Sequence, residues 1–182
     1  MKLYSKKGDE GSTFCMKYLE MVPKNHPFVE FVGELDEAEA SLGLASSLIP
    51  DELKEIKSEV DWIQTLLFRI GFTIAGKDCI SEEDLKVLES IADKYSIYAK
   101  PLFLLNGGHP AAAAVSLSRA IVRRVERRLI DLISRKEVIN KEKLVLSILN
   151  RASSALYGIQ LAINGKLGYE TKRIECGSSK LV

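Results

Sequence analysis

Residues 110–134, PAAAAVSLSRAIVRRVERRLIDLIS, decide the fold. Pro110 suits a first helical turn, alanines follow it, and neither glycine nor a second proline interrupts the run before Ser134. At about 100° per residue, Leu117, Ile121, Val125, Leu129 and Leu132 fall on one apolar stripe. Arg119, Arg123 and Glu126 fall nearly opposite, in line with Ala112 and Ser116, which are small enough to admit a second helix or a ligand. A helix with such a stripe is stable only when other elements cover it.

Those elements are legible on either side. Phe31, Leu35, Ala38, Leu42, Ala45 and Ile49 recur at helical steps from about Phe28 to Leu48, and Pro50 ends the run. Leu53, Ile56, Val60, Ile63, Leu67 and Ile70 do so from an Asp51 cap to about Ala75, before Gly76. Ser81 with Asp84 three residues on predicts a helix through Leu85, Leu88 and Ile91 to about Ala99. A fifth helix runs from about Asn140 to Asn164 on Ile148, Ala152, Ala155, Ile159 and Ala162. Short links between long helices make neighbours antiparallel. The expectation is one all-α domain over 1–182, with an antiparallel five-helix bundle at 27–165. A Gly-rich N-terminal loop region at 1–26 and a mobile tail at 166–182 flank it. No run with a strand period competes.

The 182 residues carry 26 Lys plus Arg against 25 Asp plus Glu, so a basic site must be local and not the whole surface. Cys15, Cys79 and Cys176 match neither a disulfide framework nor a zinc site, which predicts a reducing cytoplasm. There is no signal-peptide run and no 18-residue apolar stretch, which predicts neither export nor membrane insertion.

A bundle invites a di-iron carboxylate site, but that needs Glu-x-x-His pairs. His26 and His109 each precede a proline and have no glutamate three residues upstream, so structural roles are expected for both. KKGDEGST, residues 6–13, combines glycines, lysines and hydroxyls that could surround phosphate oxygens, although its spacing is not that of a Walker loop and on composition alone an ordinary flexible surface loop is the plainer reading. RAIVRRVERR, residues 119–128, sets five arginines against one glutamate, a local charge of +4. Guanidinium forks suit polyphosphate, and on this segment alone a solvated face with charge pairs reads equally well. Asp36, Ala40 and Gly43 form a second face on the first helix, and Asn150, Ser154, Tyr157, Leu161 and Asn164 a second stripe on the fifth. Helices with two contact faces predict an oligomer with a cleft between subunits.

Four ordered segments resemble the PduO-type ATP:cob(I)alamin adenosyltransferases. YSKKGDEGST (4–13) is similar to that family's Tyr-Thr-Lys-Thr-Gly-Asp-Lys-Gly-x-Thr, and GELDEAEASLG (33–43) to Gly-x-x-Asp-Glu-Leu-Asn-x-x-x-Gly. FLLNGGHPAAAAVSLSRAIVRRVERR (103–128) resembles Leu-Pro-Gly-Gly followed by Ala-Arg-x-x-x-Arg-Arg-Ala-Glu-Arg, and LNRASSALYG (149–158) resembles Leu-Asn-Arg-Leu-Ser-Asp-Tyr-Leu-Phe. The resemblance implies a homotrimer with active sites between subunits. These would transfer the 5'-deoxyadenosyl group of ATP to the cobalt of reduced cobalamin and release triphosphate. It assigns ATP, with Mg2+, to Ser5, Lys6, Lys7, Gly8, Ser12, Thr13, Lys24, Arg123, Glu126, Arg127 and Asn150. It assigns Asp36 and Arg119 to an ion pair across subunits beside the corrinoid, and Phe103 to displacement of the lower cobalt ligand. A reductase and an adenosylcobalamin-dependent enzyme are the implied partners, with neither nucleic acid nor membrane.

Asn106, Ser154, Lys7 and Leu161 depart from the family pattern, where Pro, Asp, Thr and Arg are usual. The competing class is a non-catalytic bundle whose basic helix binds nucleic acid or another polyanion, which requires its arginines to face solvent.

Overall fold

Five helices form in the computed structural model, which describes residues 2–4, 6–101 and 103–174. They are α1 (Pro27–Ser47), α2 (Lys54–Ile74), α3 (Glu82–Tyr95), α4 (Pro110–Ser134) and α5 (Glu142–Lys166). α1 packs between α2 and α4, and α5 between α4 and α3 with a lesser contact to α2. The expected stripes of α1, α2 and α5 are buried at this core, and full burial of a side chain such as Leu42 or Ile63 contributes about 1.5–3 kcal/mol. No helix among the described residues is long and apolar enough to cross a membrane.

The α4 stripe differs from expectation. Ile121, Val125, Leu129 and Leu132 are buried as expected, but Leu117 is 58% exposed, and the buried face widens instead through Val115, Ser118 and Val122. Ser118 concealed this register: its hydroxyl donates to the Ala114 carbonyl at 3.0 Å, so it is satisfied inside the core. Ala112 and Ser116 are buried too, within the chain's own packing.

Both histidines cap helices. His26 Nδ1 accepts from the Phe28 amide, and His109 Nδ1 from the Ala111 amide, each at 3.2 Å, with proline at the first helical position of α1 and α4. The caps fulfil the structural role expected for both.

α3 opens on the expected capping box, with the Asp84 carboxylate accepting from the Ser81 amide at 2.8 Å and from the Arg69 guanidinium at 2.7 and 3.0 Å. It ends at Tyr95, short of Ala99, and residues 96–98 tighten into a 3-10 turn. The turn follows from close helix packing: the Tyr95 side chain lies over Gly158 of α5 and Tyr98 over Gly165, where any Cβ would meet them at 2.8–2.9 Å. α5 starts two residues late because Lys141 takes a left-handed φ of 52°, with its Nζ donating to the Ile80 carbonyl at 2.7 Å.

The expectation of no strands is corrected. Ser12–Cys15 (β1) and Glu20–Pro23 (β2) pair antiparallel, with Thr13 opposite Val22. Each strand has four residues, too few for a period to show, yet Cys15 and Val22 turn inward to the core. Lys17 and the Tyr18 hydroxyl at the turn donate to Glu137 Oε2 at 2.8 and 2.7 Å, fastening the hairpin to the α4–α5 connection. The same face of Lys17 lies over the Tyr18 and Phe28 rings.

Candidate active site

The N-terminal segment folds back on itself through backbone turns. The Asp9 amide donates to Lys6 O, the Gly11 amide to Gly8 O, and the Lys24 amide to Gly11 O at 2.9 Å. Lys6 and Gly11 have positive φ, 63° and 82°. A Cβ at Gly8 would lie 3.2 Å from the Ser12 carbonyl and 3.5 Å from Lys24 Nζ, so Gly8, Ser12 and Lys24 are neighbours. Lys6, Lys7 and Thr13 flank them in the same loop and strand. Ser5 and Cys176 lie outside the described residues. Cys15 and Cys79 are free thiols.

The arginine run is divided between two faces of α4. Arg124 pairs with Glu37 and Glu34, and Arg128 with Glu34 at 3.1 Å and Glu30 at 3.4 Å, closing the seam with α1. Arg119, Arg123 and Arg127 have no carboxylate within ion-pair distance among the described residues. The Arg119 guanidinium lies over the Tyr157 ring at 5.4 Å, and its Nε is buried without an acceptor. Burial, then repulsion from Arg123, holds the Arg119 pKa below the usual arginine range. Glu126 faces α5, where its Oε1 accepts from Asn150 Nδ2 at 3.0 Å, while Asn150 Oδ1 accepts from Arg151 at 2.9 Å. A half-buried guanidinium with an unsatisfied donor, beside the exposed like charge of Arg123, is costly until an anion meets it.

Asp36 is exposed on α1, in an apolar groove of about 370 Å³ between the hairpin, α1 and α2 that Thr13, Phe14, Val32, Phe68 and Phe72 also line. Within one chain the hairpin lies over α1 and α2, whereas Arg119 and Arg123 stand on α4 beside α5. Phe103 is 87% exposed, an aromatic with little cover among the described residues.

The second stripe of α5 is partly used internally. Asn164 is buried, with Oδ1 accepting from the His109 amide at 3.0 Å and Nδ2 donating to the Gly107 carbonyl at 2.8 Å, which fixes the Gly107–Gly108 turn. Asn106 lies 3.4 Å from Gln160 Nε2, Leu161 is buried, and Ser154 is exposed. Sequence reasoning passed over Tyr157 as the platform beneath Arg119. It also passed over the row Glu30, Glu34 and Glu37, whose helical spacing on α1 was the available signal for the pairing of Arg124 and Arg128.

A family model described as cobalamin adenosyltransferase matches residues 3–163. The chain is 32% identical over 170 residues to the corrinoid adenosyltransferase PduO of Salmonella typhimurium, covering 89% of this chain and spanning 49% of that protein. It is 32% identical over 177 residues to the corrinoid adenosyltransferase of Bacillus subtilis, covering 92% and 89%. In three dimensions it is similar to a variant of the PduO-type ATP:corrinoid adenosyltransferase of Lactobacillus reuteri complexed with cobalamin and ATP. The TM-score is 0.85 at 30% identity, covering 93% of this chain and 97% of that one.

Proposed function

We infer the reaction of this chain from its family, for it belongs to the cobalamin adenosyltransferases. It transfers the 5'-deoxyadenosyl group of ATP to the cobalt of a reduced corrinoid and releases triphosphate. Co(I) is itself a strong nucleophile, so the protein need supply neither a base nor a covalent nucleophile. It must hold C5' of ATP in line and stabilise charge on the departing triphosphate.

The observation that carries this reading is the unpaired group on α4: Arg119 and Arg123 together, one of them with a buried donor that has no acceptor. Arg123 and Arg127, with Asn150 orienting Glu126, receive the phosphates, and Lys6, Lys7, Gly8, Ser12, Thr13 and Lys24 fold over the same nucleotide. Mg2+ arrives with the triphosphate. Arg119 meets Asp36 of a neighbouring subunit, which places the loop of one subunit over the arginines of the next in a homotrimer. The exposed Phe103 faces the corrinoid and displaces its lower ligand. A half-buried Arg119 seated on Tyr157 fits this site better than a solvated nucleic-acid face.

A reducing cytoplasm, a reductase that supplies Co(I) and an adenosylcobalamin-dependent enzyme that takes the product complete the setting. The test mixes protein, MgATP and chemically reduced cobalamin and follows the corrinoid spectrum for a cobalt–carbon bond. Phosphorus NMR should show intact triphosphate. ADP with phosphate, or AMP with pyrophosphate and no adenosylated corrinoid, would assign the bundle to another ATP chemistry.

A further inference from the structure

The 87% exposure of Phe103 raises the question of what aims it, because a side chain in solvent is not held by packing. The backbone around it is held. The Ile174 amide donates to the Phe103 carbonyl at 3.1 Å, and the Leu105 amide donates to the Lys172 carbonyl at 2.9 Å. Leu104 and Arg173 form an antiparallel bridge between these bonds. The chain reaches this position by reversing after α5 at Gly168, whose φ is 70°, and the Tyr169 amide then donates to the Asn164 carbonyl at 2.9 Å. The Tyr169 ring meets His109 edge-on at 5.3 Å.

Asn164 thus fixes the Gly107–Gly108 turn from one end of α5, and the tail fixes residues 103–105 from the other side. An extended pair projects alternate side chains to opposite faces. Leu104 turns into the groove it shares with Tyr98, Leu161 and Tyr169, and Phe103 is left outward.

We propose that the tail segment 172–174 is a positioning strap for Phe103, acting on the corrinoid step through its backbone. This rests on the role of Phe103 given above. Ile174→Pro removes the amide that donates to the Phe103 carbonyl, while Ile174→Ala keeps it and serves as the conservative control. The assay compares turnover from cob(II)alamin with reductant, turnover from cob(I)alamin supplied already reduced, and KM for ATP.

Ile174→Pro should lower turnover from cob(II)alamin about fivefold, the weight of roughly one hydrogen bond. Turnover from cob(I)alamin, which has no lower ligand to displace, and KM for ATP should stay within about twofold, less than that one bond carries. Ile174→Ala should match the unmodified chain, and Ile174→Pro added to Phe103→Ala should cause no further loss. Amide hydrogen exchange at Leu105 should quicken in Ile174→Pro even without corrinoid. Unchanged turnover from cob(II)alamin, equal losses from both cobalt states, or an additive loss on Phe103→Ala would overturn the strap. An unmodified chain that adenosylates no corrinoid would instead overturn the functional reading itself, and unchanged exchange at Leu105 would overturn the strap independently.

Discussion

Arg124 and Arg128 stand on one side of α4, and Arg119 and Arg123 on another, in a single run of helix. The first pair is matched by Glu30, Glu34 and Glu37 across the seam to α1; the second has no carboxylate in its own chain among the described residues. Rotation by about 100° per residue is enough to separate arginines that close a helix seam from arginines that await a ligand or a second subunit. Local charge density therefore says little about role. Role follows from what the facing helix offers.

The two faces of α4 differ most in consequence at Arg119. Arg119→Glu should abolish the assembly and lower turnover on the order of a hundredfold, as reversal of one charge in a desolvated pair does. Asp36→Arg added to it should recover part of both, and sedimentation with turnover would show it; a fully active monomer would end the intersubunit reading.

Next in size is a paired arginine elsewhere, Arg69. Burial pushes the Asp84 carboxyl up, but the Arg69 guanidinium and the Ser81 amide and hydroxyl outweigh it and hold its pKa below the usual aspartate range. Because the folded value is the lower one, this stability is complete above about pH 4 and disappears as pH falls through the folded value. Asp84→Asn should cost about 2 kcal/mol at neutral pH, as loss of charged hydrogen bonds does, and should flatten the acid limb of a denaturation series.

Arg123→Lys keeps the charge and loses the fork. Turnover should fall about tenfold, near 1.4 kcal/mol of transition-state stabilisation, while the thermal midpoint stays unchanged. The smallest effect belongs to the seam: Arg128→Ala should cost less than about 1 kcal/mol in urea unfolding and leave turnover within about twofold, since its pairs are partly solvated. A large activity loss there would erase the distinction between the two faces.

Much of this was legible beforehand because apolar periodicity reports helix faces directly. The stripes of α1 and α2 are buried as read, and the bounds of α1 and α4 agree within a residue. The α4 stripe failed only at its first residue, where Ser118 is buried as a satisfied polar residue and Leu117 is exposed, a tertiary choice that polarity patterns cannot announce. The hairpin escaped because its strands are too short to show a period and its turn is fastened by a partner distant in sequence, Glu137 on Lys17 and Tyr18. In the site, the residue types pointed to polyphosphate, but the division of the arginines was not readable from α4 alone. It required the acidic row of α1 to be set against it.

The His109 cap has a further meaning once α4 is treated as a dial. His109 and Pro110 set its zero mark, and every later residue is read as an angle from there. One alanine inserted between the cap and Ser118 would advance the dial by a single step of about 100°. Arg123 and Arg127 would move into the places of Arg124 and Arg128, over the α1 carboxylates. Ser118, Val122 and Glu126 would inherit the places of Arg119, Arg123 and Arg127. No charge would have been removed from the chain, yet the open face would hold no arginine in any of those three places.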